Sequence, residues 1–398
     1  MFYLIIFLIL LIFAFIESFT QYKNKYILYG IVFLLLTFIS GFRYETGVDW
    51  VMYEGQMDYS YSLIEAFERD KWDWLSLRLD VGYSILLALI KTFGGGVQTL
   101  FFIIALVTQI LLYLNLRKYS SRILLSYLIY YCFFFFVFDL SGIRQGLAIQ
   151  LFFYSIRFII NRSFLKFLIC IIFATLFHWS AAILFPLYFF LERKISVKLS
   201  VFIVVFSTLV FTFQIKWLGA IMGDFLTKIN SFTLLAKKVE AYTTNDFFAR
   251  ERSWDKMTIY AYLRIIALIF FNYLFREKYK DNKYYNIFYN LLIIQFLCIF
   301  TFYEFFEISD RYKSYFLISE VILIPFIIVA IKEEFLKQLA FALIAPLIFA
   351  NSYIYFLEAP AAIAYNPYQN YIIHKVFDKK NTGYKRFKKH IQINTQED

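Results

Sequence analysis

Six polar residues of this chain stand where apolar sequence stops: Arg43, Asp49, Arg144, His178, Asp310 and Arg311. Guanidinium groups pair with phosphate oxygens in a bidentate manner. An imidazole can act as a general base near neutral pH, or as a neutral donor. Such a set is equipped to hold a phosphorylated ligand and to move a proton. In "GFRYETGVDWVMYEGQ", Arg43 closes an apolar run, and Glu45, Asp49 and Glu54 follow with Tyr44, Trp50 and Tyr53 among them. Aromatic rings stack on the apolar face of a sugar while carboxylates accept its hydroxyl hydrogens. The same composition also suits an aromatic belt with surface acids. Gly41 and Gly47 suggest a specific backbone turn.

In "DLSGIRQGLA", Ser141 can cap the helix that follows and Arg144 falls in its first turn. A helix N-terminus offers free N–H groups and a positive partial charge. An arginine there complements an anion such as phosphate better than it complements the helix, unless it only snorkels to the membrane surface. "ATLFHWSAAILFP" holds His178, which is either catalytic or a buried hydrogen-bonding residue, beside Trp179 and Ser180. "FFEISDRYKSYFLISEVILIP" brings Arg311 as a further phosphate ligand, or as half of a local pair with Asp310. The remaining histidines, His374 and His390, lie in the tail, and no Cys/His spacing fits a metal site.

The elements that must position these residues are set by composition. The 398 residues are 61% hydrophobic, 23% aromatic and 17% charged, with a mean hydropathy of +0.63. A soluble domain is nearer half apolar and a quarter charged. Runs long enough to cross a bilayer recur from end to end, so the expected class is an all-α polytopic membrane protein with about 11 to 14 spans. Candidate spans are 2–18, 27–42, 81–93, 97–116, 123–138, 145–160, 164–178, 179–191, 199–215, 257–275, 284–303, 314–331 and 338–356. They form a single transmembrane domain over 1–373, followed by a basic polar tail, 374–398. The net charge of +11 does not argue for nucleic acid, because the basic residues sit in short clusters between apolar runs. Cys132, Cys170 and Cys298 lie inside those runs and read as packing residues. The first run lacks a basic start and a small-residue cleavage site, so it reads as a span.

Basic short loops at 22–26, 117–122, 161–166, 192–198, 276–283 and 332–337 assign the cytoplasmic side. The segments 41–80, 139–144, 216–256, 304–311 and 358–371, with the turn at His178, then face outward. The polar residues named above gather on that face. Parity makes 81–93 a re-entrant segment and puts the basic tail outside, against the loop rule; an extra crossing near 359–373 would reverse that. The loop 216–256 has the pattern of an interfacial amphipathic helix with Lys228, Lys237 and Lys238.

"FRYETGVDWVMYE", "SGIRQGLAIQLFFYSIRF", "KFLICIIFATLFHWSAAILFPLY", "ISDRYKSYFLISEVILIP" and "NPY" at 366–368 resemble the EpsG family, of the Wzy type. The resemblance implies a glycosyltransferase C-like membrane fold. It implies polymerisation of undecaprenyl-diphosphate-linked repeat units for O-antigen, capsule or exopolysaccharide, with the site facing out of a bacterial inner membrane. No cofactor or metal would be needed. In that setting Arg144, Arg311 and Arg43 would bind diphosphate, His178 or Asp49 would act with Arg144 in catalysis, and Tyr44, Glu45, Trp50 and Tyr53 would contact sugar. Implied partners are the lipid-linked oligosaccharides and membrane lipids, with a chain-length regulator and a flippase as candidates. Two other activities compete: a flippase or other transporter, which should show repeat symmetry and charges at mid-membrane, and a membrane O-acyltransferase built around a histidine.

Overall fold

The structure is a computed structural model that describes residues 1–70, 80–219, 221, 251–357, 361–377 and 382–394. The expected amphipathic helix near 216–256 lies mostly outside the described residues. In chain order the helices are α1 (Phe2–Phe19), α2 (Lys25–Gly41), α3 (Trp50–Asp58), α4 (Leu63–Glu68), α5 (Val81–Thr92), α6 (Val97–Tyr119) and α7 (Ile123–Tyr130). A π-helix, Tyr131–Asp139, continues α7. Next come α8 (Ile143–Ile160), α9 (Phe164–Phe177), a 3-10 helix (Trp179–Phe189) and α10 (Val197–Thr212). The chain ends with α11 (Lys256–Leu274), α12 (Lys283–Thr301), α13 (Phe306–Phe316), α14 (Ile318–Ala330), α15 (Glu334–Leu357), α16 (Ala361–Tyr365), α17 (Tyr371–Phe377) and α18 (Gly383–Asn394). Among the described residues, the nearest thing to a strand is one isolated bridge, Arg43 with Asn370. Among the described residues, six helices are long and apolar enough to cross a membrane, and α13 with α14, bent by 44° at their junction, counts as a seventh if the pair is one span. Shorter apolar helices fill most of the remaining expected spans. The protein is a multi-pass membrane protein.

The chain divides into two compact units, residues 1–185 with 331–398, and residues 186–330. In the first unit, the carboxylate of Glu17 near the end of α1 gathers one set of helix ends. It accepts the N–H groups of Ile123 and Leu124 at the start of α7, at 3.0 and 2.7 Å, and the hydroxyl of Tyr29 on α2 at 2.7 Å. A carboxylate facing the free N–H groups of a helix start is favourable in both charge and hydrogen bonding. The basic loops 22–26 and 117–122 belong to this end, as the loop rule requires.

The opposite end is built around the segment 42–49. Its backbone is tied to the C-terminal segment by Tyr44 N–H to Gln369 O (2.9 Å), Tyr371 N–H to Phe42 O (2.8 Å) and Gly47 N–H to Ala364 O (3.0 Å). The basic tail therefore lies on the side of the first outer loop, and α16 and α17 are short helices there with no extra crossing between them. α5 belongs to this end at both of its termini. It starts at Asp80, and its last turn sends Lys91 Nζ to the carbonyls of Met57, Asp58 and Ser60. In the first turn of the next helix, Gln98 donates to Gly41 O at 2.7 Å. Twelve helical residues rise about 18 Å, too little for a hydrocarbon core of about 30 Å. The segment enters and leaves on one side, as parity demands.

Ser141 does not cap α8. Its hydroxyl instead accepts Val48 N–H at 2.9 Å and pairs with the Tyr365 hydroxyl at 2.7 Å, and the N-cap residue is Gly142 with no side-chain cap. Gly47 takes a φ of +102°, and a Cβ there would lie 1.9 Å from Leu140 O. Gly47→Ala should therefore destabilise the protein by about 1–3 kcal/mol. Gly30→Ala, inside α2 with open space around its Cβ, should be neutral or stabilising by up to about 1 kcal/mol. Thermal unfolding of the two variants in detergent checks this pair.

Candidate active site

At the Arg43 end of the first unit, the N-termini of α5 and α8 and the break after α9 meet. Asp80 precedes α5. Its Oδ2 receives Arg144 Nη1 at 2.6 Å, and its Oδ1 receives Trp179 N–H at 3.2 Å. One carboxylate thus joins three segments. The Arg144 guanidinium also faces two aromatic rings, with its central carbon 5.2 Å from the centre of Tyr83 and 5.9 Å from that of Tyr53. The Arg144 side chain remains 23% exposed and that of Asp80 11%. The ion pair is therefore partly open to solvent. Arg144 has a protein counter-ion, Asp80.

His178 ends α9 in extended conformation. It is buried, with Nδ1 2.6 Å from Ser180 Oγ. Because the adjacent Trp179 N–H is held by Asp80, the imidazole and the Arg144 guanidinium are anchored to the same carboxylate by short routes. Tyr53, on α3, is buried on the other flank of Arg144. Burial, with the Asp49 charge adding to it, pushes its phenol up to about 12.

Beneath this ion pair lies a second buried group. Arg43 is 1% exposed. Its Nη1 donates to Ser40 O at 3.0 Å and to Asp139 O at 2.8 Å, and its guanidinium stacks 3.8 Å from the centre of the Phe101 ring. The Asp139 carboxylate accepts the Tyr130 hydroxyl at 2.6 Å and Gln109 Nε2 at 2.8 Å. Arg43 therefore clamps the end of α2 to the end of the π-helix, and in this structure offers a ligand almost no open surface. The π-helix carries its wide-turn bonds past Asp139, with Leu140 N–H on Phe135 O at 3.0 Å and Gly142 N–H on Val137 O at 2.7 Å. That register delivers the chain to α8 and so to Arg144.

The aromatic and acidic residues of the first loop are engaged by the tail. Tyr44 packs on His374, with ring centres 5.1 Å apart. Glu45, with φ of +45°, accepts Gly383 N–H at 3.0 Å, and its backbone carbonyl accepts Arg386 Nη2 at 2.8 Å. Trp50 lies edge-on to Tyr384 at 4.9 Å, and the Tyr384 hydroxyl donates to Glu54. Of the expected sugar-contacting residues, Tyr44, Glu45 and Trp50 face α17 or α18, and only Tyr53 faces Arg144.

The second unit holds its own charged groups. Asp310 pairs with Arg252 at 3.0 Å and with Lys313, while Arg311 pairs with Glu307 at 3.5 Å. The expected local pair of Asp310 with Arg311 is thus replaced by partners one helical turn or a loop away. Deeper in apolar sequence, Glu320 on α14 is fully buried and takes a two-pronged contact from Arg264 on α11, Nε at 2.9 Å and Nη2 at 3.1 Å. Gln295 on α12 donates to the same carboxylate at 2.7 Å. Asp80, Arg264 and Glu320 are absent from the sequence-based candidates. Single charges inside "YLRIIALIFF" and "LISEVILIP" are the signal that marks the last two, because a lone charge in an apolar span needs a partner.

Removing one member of a buried pair leaves an uncompensated charge and costs about 3–5 kcal/mol, whereas replacing both with apolar groups is often tolerated. Glu320→Gln should lower the unfolding midpoint strongly, and Arg264→Met with Glu320→Leu should recover most of the loss. Thermal unfolding in one detergent measures both.

A model of the EpsG family matches residues 26–370. None of the curated proteins and none of the solved structures compared matches the chain.

Proposed function

Since the chain belongs to the EpsG family, we propose that it is a membrane glycosyltransferase that joins oligosaccharide repeat units carried on undecaprenyl diphosphate. The observation that supports this most directly is the Arg144–Asp80 pair at 2.6 Å beside His178. It is a part-exposed cation in the first turn of a helix, next to a group able to accept a proton. A glycosyltransferase C-like membrane architecture, a site on the outer leaflet of a bacterial inner membrane and metal independence belong to the same proposal. So does assignment of the product to O-antigen, capsule or exopolysaccharide.

In this mechanism a hydroxyl oxygen of the incoming repeat unit attacks the anomeric carbon of the growing chain. The bond from that carbon to the lipid diphosphate breaks, and its electron pair leaves with the diphosphate. Arg144 faces the developing negative charge, helped by the uncapped N–H groups of α8. His178 takes the hydroxyl proton, with Asp49 as the alternative base. Asp80 holds the arginine and the histidine segment in register. Arg43 supports the floor of the site through the Asp139 carbonyl. Arg311 is the candidate diphosphate ligand of the second unit. Sugar contacts at Tyr44, Glu45 and Trp50 require the tail to lift, since α17 and α18 cover them.

One observation favours a second activity. The Arg264–Glu320 pair inside apolar helices is the kind of charge expected in a transporter, so movement of the lipid-linked oligosaccharide across the bilayer is the alternative.

Purified protein in detergent, given synthetic lipid-diphosphate repeat units, EDTA and no nucleotide sugar, should give a ladder of longer products on a gel. Arg144→Ala should lower the rate by about 10²–10³-fold, and His178→Ala by about 10²–10⁴-fold. Absence of a ladder with a matched repeat unit, together with lipid flipping in vesicles, would move the assignment to transport.

A further inference from the structure

The basic tail is a built element with two faces. α18, "GYKRFKKHIQIN", carries Lys385, Arg386, Lys388 and Lys389 and no acidic residue. Its inner face is docked. Gly383 meets the Glu45 carboxylate so closely that a Cβ there would lie 2.2 Å from Oε2. Arg386 spends its guanidinium on the carbonyls of Glu45 and Pro367, and Phe387 packs toward the cluster of Trp50, Tyr53 and Tyr83. The outer face is left to Lys385, Lys388 and Lys389, all exposed, at the i, i+3, i+4 spacing that puts them on one side of a helix.

The helix before it has a complementary exposed face. α17 shows Ile372, Ile373, Val376 and Phe377 to the outside, the last two 68% and 67% exposed. Their spacing again places them together on one side. α17 starts at Tyr371, whose N–H is bonded to Phe42 O, one residue past the end of the apolar helix α2. An apolar face at the level where a span ends, followed by a lysine face, is the arrangement of a helix lying in the bilayer interface.

We propose that α17 and α18 form an interfacial collar. α17 inserts its apolar face at the acyl boundary, and Lys385, Lys388 and Lys389 bind the phosphate groups of anionic phospholipids in the leaflet on the side of loop 43–54. The collar makes the docking of α18 on Glu45, Trp50 and Glu54 dependent on lipid charge. This binding also gives a reason for a basic segment on that side, where the loop rule does not call for one. Each lysine near an anionic surface strengthens the attachment about fivefold, and the three together about 10²-fold.

The test is hydrogen–deuterium exchange on the full-length protein in nanodiscs of phosphatidylcholine alone, or with a third of phosphatidylglycerol. Amides 383–394 and 43–58 should exchange roughly tenfold or more slowly in the anionic discs. Lys385→Gln with Lys388→Gln and Lys389→Gln, all at exposed positions, should remove that difference while leaving the unfolding midpoint in zwitterionic discs unchanged. Equal exchange in the two lipids, or slowing that survives the triple variant, overturns the proposal. Slowing produced in zwitterionic discs by soluble pyrophosphate alone also overturns it, because the lysines would then serve a phosphorylated ligand and not the membrane surface.

Discussion

The Asp80–Arg144 ion pair is the constraint on which the first unit's polar end depends. Asp80 precedes a helix that does not cross the membrane, Arg144 opens one that does, and the same carboxylate holds the start of the 3-10 helix at Trp179. Three segments that apolar packing alone would leave free to slide are thereby fixed in register. Apolar side chains next to lipid gain little from choosing one neighbour over another. A charge at the end of a span has few partners, and so it specifies them.

The layers beneath follow from that constraint. The π-helix Tyr131–Asp139 brings the chain to α8 with Asp139 turned inward, where Tyr130 and Gln109 satisfy its carboxylate and Arg43 takes its carbonyl. Above it the tail closes the opposite side of the first loop through Glu45, Trp50 and Glu54. Arg144 is left partly exposed beside the rings of Tyr53 and Tyr83. The second unit solves its own charge problem differently, with Arg264, Glu320 and Gln295 closed on one another within apolar helices.

Much of this organisation was legible in the sequence, because hydrophobic runs and basic loops obey local rules. The apolar helices follow from run length, and the re-entrant course expected of 81–93 agrees with the contacts at both of its ends; the side of the tail did not follow, because parity and the loop rule pointed opposite ways. The family resemblance carried by "FRYETGVDW" and "SGIRQGLA" is matched over residues 26–370. Pairings at long separation were not legible. Asp80 and Arg144 are 64 residues apart, Arg264 and Glu320 are 56 apart, and Glu45 and Gly383 are 338 apart. Ser141 has every local reason to cap α8, and it serves Val48 and Tyr365 instead because tertiary partners reach it first. A phenylalanine-rich stretch such as "YCFFFFVFD" has no periodicity that separates a π-helix from an α-helix.

The central claim is that Asp80 and Arg144 act as one unit, and a double-mutant cycle measures it most directly. The unfolding free energies of wild type, Asp80→Asn, Arg144→Gln and the double variant would be compared in the same detergent. A coupling energy of about 1–3 kcal/mol is expected, as for residues in direct contact. Additive effects within about 0.3–0.5 kcal/mol, the range found for independent sites, would contradict it.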